Sequence, residues 1–332
     1  MKIGIPRGLL FYRFYALWKT FLEELGQEVL VSPPTSKPII QQGLTHAVEE
    51  VCFPAKVYLG HCHFLKDQVD MILIPRVVSF HRGEYNCPKI LGLPDLTRSL
   101  FGIAPERMID DEINMRERGI VGWRKGFFSI GQRFVTSERK IAKALEKAET
   151  AHRAYRDSLR QGILPETVID GQPPLPDHAE KVLLLGHAYL ASDSYINMNL
   201  IHRISGLGFS IITPDMLDQE GLRRHLPGRT KPSFWTMSNE ILASALYVLR
   251  EKPSAIKGFV HLMSFECGPD SLVGELVGRW LKRDKHFLPY LKLEIDEHTG
   301  EAGMLTRLEA FVDMMKWRHG SLESHLSASR PS

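Results

Sequence analysis

Three of the four cysteines in this chain stand just ahead of a proline. They read Cys52-Phe53-Pro54, Cys87-Pro88 and Cys267-Gly268-Pro269, whereas Cys62, in Gly60-His61-Cys62-His63, has no proline behind it. Proline is favoured in the first turn of a helix, where its missing N–H costs nothing. Each of the three cysteines is therefore predicted to open a helix. At that position unpaired N–H groups and the positive dipole end favour a thiolate. Three such thiolates, distant in sequence and brought together by the fold, are what an iron–sulfur cluster with one open iron needs. The same residues could instead pack as small buried hydrophobes. No C-x-x-C spacing occurs, so thioredoxin-like redox chemistry and a zinc ribbon lack support.

Around these cysteines the pattern is strand, helix, strand. Lys2–Pro6 reads as a buried strand, Leu9–Leu25 as an aromatic-rich helix ended by Gly26, and Glu28–Ser32 as a second strand. Further helices are predicted from Ser36 to Glu50 and from Pro54 to Leu65, then a strand over Asp70–Pro75 and a loop over Val77–Asn86 leading to Cys87. Gly131–Gln161 reads as one long polar helix. Gly171-Gln172-Pro173-Pro174-Leu175-Pro176 is the best linker, and a second strand–helix series follows it. Its strands are Lys181–Gly186, Gly208–Thr213, Ala255–Met263 and Leu288–Ile295, with helices over Asn197–Leu207, Asn239–Arg250 and Met304–Arg318. The fold class expected is α/β: two doubly wound, mostly parallel-sheet domains with a site between them. The boundaries expected are residues 1–170 with Cys52 and Cys87, a linker over 171–180, and residues 181–332 with Cys267. In such sheets ligands lie beyond the carboxyl ends of the strands, where Cys267 and Cys87 are placed.

At 332 residues the chain is long enough for two domains, and a net charge of +3 gives no basic surface for nucleic acid or a membrane. No apolar run has transmembrane length and no signal peptide opens the chain, so a cytoplasmic protein is expected. In that compartment disulfides are rare, which leaves metal, catalysis or packing for the cysteines.

Four other stretches could carry chemistry. His61-Cys62-His63 offers three metal-binding side chains, but adjacent residues on one element do not converge on a single ion. Gly186-His187, after a strand, could bring backbone close to a phosphate or thioester, or be an ordinary turn. Asp296-Glu297-His298-Thr299 offers an acid and an imidazole, or a loop closed by its own hydrogen bonds. Arg76, Arg82 and Lys89 could offset cluster charge or simply be solvated. There is no G-x-x-x-x-G-K-[ST], G-x-G-x-x-G or G-x-S-x-G, so nucleotide hydrolysis, dinucleotide binding and serine-hydrolase chemistry are unsupported.

Longer motifs sharpen this. Ile3-Gly4-Ile5-Pro6-Arg7 with Phe11-Tyr12 and Trp18-Lys19-Thr20-Phe21, then Glu50-Val51-Cys52-Phe53-Pro54-Ala55-Lys56, Cys87-Pro88-Lys89-Ile90-Leu91-Gly92, Phe265-Glu266-Cys267-Gly268-Pro269-Asp270 and Asp296-Glu297-His298-Thr299-Gly300-Glu301 form one set. The set resembles the uncharacterised domain associated with activases of 2-hydroxyacyl-CoA dehydratases. That domain is similar to the cluster subunits of 2-hydroxyglutaryl-CoA dehydratase and benzoyl-CoA reductase. The resemblance implies two α/β domains around a 4Fe–4S cluster held by Cys52, Cys87 and Cys267, with one iron lacking a cysteine ligand. It implies an actin-like-fold activase ATPase as partner, an acyl-CoA as possible substrate, and a possible homo- or hetero-dimer. Without a phosphate-binding glycine pattern here, any ATP-driven step falls to a separate protein. The function expected is acceptance of a low-potential electron and its transfer to an acyl-CoA or a partner cluster, as a dehydratase-like enzyme or a relay. The alternatives are a non-catalytic binding or assembly module, and zinc held by the three thiolates plus a histidine.

Overall fold

The structure, a computed structural model, describes residues 1–226, 233–284 and 288–328, with residues 318–328 as backbone alone. Its strands are β1 (Lys2–Ile5), β2 (Glu28–Val31), β3 (Met71–Leu73), β4 (Arg76–Ser79), β5 (Met108–Ile109), β6 (Glu112–Asn114), β7 (Lys181–Leu185), β8 (Ser210–Ile212), β9 (Ile256–Ser264) and β10 (Tyr290–Ile295). They build two four-stranded parallel sheets, ordered β2-β1-β3-β5 and β10-β9-β7-β8, and a small parallel pair β4-β6. Read from its other edge, the second sheet is β8-β7-β9-β10. Both sheets therefore share one order: second, first, third, fourth. Helices cover the sheets, and the inner strands are apolar runs such as Val182-Leu183-Leu184-Leu185, each residue fully buried. This is the α/β fold with two parallel sheets that the alternating elements predict.

The order matters because each sheet changes winding direction between its first and third strands. A crevice opens there, beyond the strands' carboxyl ends. In the first sheet that point lies between β1 and β3, and in the second between β7 and β9.

The Phe11–Glu24 helix buries Phe11, Tyr12, Phe14, Leu17, Trp18, Phe21 and Leu22. Burial of a side chain of this size stabilises by roughly 1.5–3 kcal/mol. Tyr155, on the Glu138–Arg160 helix, donates its hydroxyl to the Tyr12 carbonyl at 2.6 Å. The two sheet regions are joined. Arg13 forms a two-pronged ion pair with Glu240 (2.8 and 2.9 Å), and Arg156 pairs with Asp215 at 2.6 Å. Tyr85 and Trp235 form an isolated parallel bridge, and one apolar core runs from Ile3 through Leu184 to Leu262.

Two elements differ from expectation. The 131–161 stretch is split into helices Ile120–Gln132 and Glu138–Arg160, because Ser137 caps the second by accepting the Lys140 N–H. The 77–86 loop begins inside β4, which pairs with β6 in a register that sequence proximity does not signal. Among the described residues no helix is long and apolar enough to cross a membrane.

Candidate metal centre

Each of the three proline-marked cysteines is the residue that precedes a helix. Cys52 caps Phe53–Leu65, Cys87 caps Pro88–Leu91 and Cys267 caps Gly268–Arg283, each with proline in the first turn. Cys62 lies inside the Phe53–Leu65 helix and is fully buried.

The helix behind Cys52 is held tightly. A Cβ on Gly60 would sit 2.0 Å from the Ile39 carbonyl oxygen, so the Lys37–His46 helix lies directly on its backbone. Cys267 is reached through Glu266, which adopts a left-handed φ of 64° between β9 and the helix. For a non-glycine residue that conformation costs on the order of 1–3 kcal/mol. It bends the chain so that the cysteine begins the next element.

The charges of the three thiols bear on one another and on one neighbour. The buried Tyr189 hydroxyl is raised well above its ordinary range, first by burial and then by the negative charge that Cys267, Cys87 and Cys52 would carry. Cys267 is likewise raised by burial, by Asp270, and by Cys52 and Cys87. Burial pushes the Cys52 thiol up to about 11 and raises Cys87. First-turn N–H groups oppose this: Ala55 at Cys52, Ile90 and Lys89 at Cys87, Asp270 at Cys267. None of the three thiols makes a regular capping hydrogen bond. Desolvation thus outweighs the helix ends, and the metal-free thiols are protonated at neutral pH, contrary to what the helix N-terminus alone predicts.

Sequence reasoning singled out Gly186-His187 only for its backbone, and missed the His187 side chain, Asp270 and His261 as neighbours of Cys267. His187 follows β7 and its Nε2 lies 3.9 Å from the Cys267 Sγ. Asp270, in the first turn after Cys267, lies 3.7 Å from His187 Nε2 and 3.5 Å from the Nε2 of His261, a β9 residue. His187, Cys267 and Asp270 offer donors within 4.8 Å of one another, a set compatible with a metal ion. The available signals were the spacing Cys267-Gly268-Pro269-Asp270 and the strand-end position of His187. Gly186 carries φ 152°, and a Cβ there would sit 2.7 Å from the Leu262 carbonyl oxygen, so glycine lets the turn enter against β9.

The remaining candidates separate. His61 is buried between Ser32 Oγ (2.9 Å) and Thr35 Oγ1 (3.0 Å), while His63 stacks on His46. Asp296 accepts from the His298 N–H and the Thr299 hydroxyl, closing its own loop. Glu297 instead pairs with the buried Lys56 at 2.7 Å, and Lys56 also lies 4.0 Å from Glu266. Lys89 donates to the Glu50 carbonyl, and its charge lowers the Cys52 and Cys87 thiols. Arg76 binds the Leu91 carbonyl and Asp95, and Arg82 is exposed. A cleft of about 480 Å³ opens beside Phe53 and Glu297, with Tyr195, Asn199, Asp296 and Thr299 on its walls.

No curated protein matches this chain. The family model described as CoA enzyme activase uncharacterised domain matches residues 2–217, a span that contains Cys52, Cys87 and His187 and stops before Cys267.

Proposed function

This chain belongs to the family of the CoA enzyme activase uncharacterised domain, and from that membership we propose an iron–sulfur protein that works with an activase ATPase. What supports the reading is that all three cysteines open helices with proline in the first turn and that their charges would each bear on the buried Tyr189. In it Cys52, Cys87 and Cys267 hold a 4Fe–4S cluster. Three thiolates, with Cys62 buried inside the Phe53–Leu65 helix, fit a cubane with one iron lacking a cysteine ligand.

Such a cluster supplies one-electron transfer at low potential. The chain's own residues set its surroundings. Cys52 and Cys87 have Lys89 nearby to offset negative charge, and Cys267 has His187. Burial of the sulfurs keeps water away and bears on the potential. Phe265 and Leu272, both exposed, flank Cys267 on the surface and offer contact to a redox partner. The cleft beside Phe53 is where an acyl-CoA or the partner's own group would approach.

Anaerobic reconstitution with iron and sulfide tests this. The expected result is a brown protein with iron and sulfide in equal amounts, and Cys52→Ser, Cys87→Ser and Cys267→Ser each strip most of that iron. A colourless, iron-free protein after reconstitution overturns the reading and leaves an assembly module that binds the activase without a cluster.

A further inference from the structure

His187, Asp270 and His261 form a chain of polar side chains behind Cys267 that no cubane needs. Asp270 and His261 are fully buried and His187 is 5% exposed, yet both Asp270 oxygens, His187 Nδ1 and His261 Nε2 lack hydrogen-bond partners. The imidazole nitrogens facing Asp270 stand at 3.5 and 3.7 Å, too long for good hydrogen bonds, while His187 Nε2 meets the Cys267 sulfur at 3.9 Å. A fully buried carboxylate without hydrogen bonds is costly.

We infer that His187 Nε2, Cys267 Sγ and Asp270 Oδ2 are a binding site for a single divalent transition ion. Donors on one tetrahedral ion, at about 2.0–2.3 Å from it, stand about 3.5 Å apart. Two of the three separations, 3.9 and 3.7 Å, are near that value, and all three are within 4.8 Å. One sulfur, one nitrogen and one oxygen suit a borderline ion of the zinc or ferrous class, not calcium or magnesium. The ion's two charges balance one thiolate and one carboxylate. Asp270's other oxygen then faces His261, whose Nδ1 is tied at 3.1 Å to the Tyr290 hydroxyl, which in turn donates to the Gly274 carbonyl. With Nδ1–H given to the Tyr290 oxygen, Nε2 has a proton for Asp270 only in the doubly protonated ring, and in that form it is the outer support that orients a metal-binding carboxylate. Three protein donors leave the fourth position to water or a ligand. The site requires neither Cys52 nor Cys87. It shares only Cys267 with the proposed cluster, so the two occupancies exclude each other.

Titration of the chelator-treated, thiol-reduced full chain with Co²⁺, followed by its thiolate-to-cobalt charge-transfer absorption, tests the site. The expected result is one Co²⁺ per chain, with the band retained in Cys52→Ser and Cys87→Ser and lost in Cys267→Ala, His187→Ala and Asp270→Asn. His261→Gln weakens binding by roughly 10–100-fold. Cys267→Ala is a small change at a partly exposed position, and circular dichroism confirms that each variant is folded. Loss of the band in Cys52→Ser or Cys87→Ser would assign the ion to the three-thiol centre. No Co²⁺ uptake, or a band indifferent to His187→Ala and Asp270→Asn, overturns the inference. Either result leaves the iron and sulfide test of the cluster unaffected.

Discussion

The two sheets have the same strand order but close their switch points differently. At the first, between β1 and β3, Arg7 follows β1 and reaches away from the crevice to Ser32, which follows β2 on the far side of β1. The Arg7 guanidinium holds Asp170 through both terminal nitrogens at 2.6 and 2.5 Å and lies over the Phe11 and Tyr12 rings. The Arg7 N–H donates to Ser32 Oγ at 2.8 Å, Ser32 meets His61, His61 meets Thr35, and Thr35 donates to Asp193. At the second, His187 follows β7 and Cys267 follows β9, with Asp270 and His261 between, and the side-chain separations His187–Cys267, His187–Asp270 and His261–Asp270 are all 3.5 Å or more. Beside the first crevice the ends of β1 and β2 carry a locked polar core, in which Arg7 Nε stays unpaired. The second keeps polar atoms that its own chain does not satisfy. Topology fixes where a site can be, and side-chain satisfaction decides which of two equivalent places remains available for a ligand.

The sharpest way to break that comparison is to neutralise the acid at each point. Asp170→Asn leaves the buried Arg7 cation without its charge partner and is expected to cost about 2 kcal/mol, moderated because Asp170 is itself partly exposed. Asp270→Asn removes a buried charge that makes no good hydrogen bond, so its expected cost is under about 1 kcal/mol. Urea unfolding of the metal-free protein reads both. Equal costs would mean that the second point is also a structural lock, and the distinction drawn here would fail.

Much of the second site was legible, but unevenly. Proline placed the cap positions of Cys52, Cys87 and Cys267 because capping is a local preference, decided within one turn. The α/β class followed from the alternation of apolar runs and helices. That His187 would face Cys267 was not legible, since it depends on β7 lying beside β9, a pairing set by long-range packing. Thiol protonation was misjudged for the same reason. The helix end can be read locally, but the burial that overrides it cannot. The Asp296 loop shows the converse: Asp-x-His-Thr closes on its own backbone, a local pattern that sequence does carry.

Acid sharpens the comparison from the first side. Burial, with the Arg7 charge nearby, holds His61 down at about 3, against about 6.5 in an unfolded chain. The unfolded state therefore binds a proton that the folded state refuses. Stability from this group is complete above pH 6.5 and falls as pH drops towards 3, by about 1.4 kcal/mol for each unit. At pH 5.5 the wild type is expected to have lost about 1.4 kcal/mol more than His61→Asn, each measured against its own value at pH 7.5. Hydrogen exchange should show β1 and β2 opening first. If the two proteins lose stability in parallel, His61 is not the lock's acid-sensitive element.

The smallest effect separates two thiols that sit at like positions in unlike surroundings. Cys52 is held up to about 11 mainly by burial, with Lys89 drawing it down. Cys267 is raised further, because the Asp270 carboxylate adds repulsion to burial. Alkylation requires the thiolate, so below both values its rate follows the thiolate fraction. In chelated, metal-free protein at pH 8, iodoacetamide should label both slowly. Asp270→Asn should then speed Cys267 labelling severalfold while leaving Cys52 unchanged, as read by mass spectrometry of the peptides. An equal acceleration at both cysteines would point to general loosening of the fold. No change at Cys267 would mean that Asp270's charge is already cancelled by His187 and His261, and that the second switch point is as self-sufficient as the first.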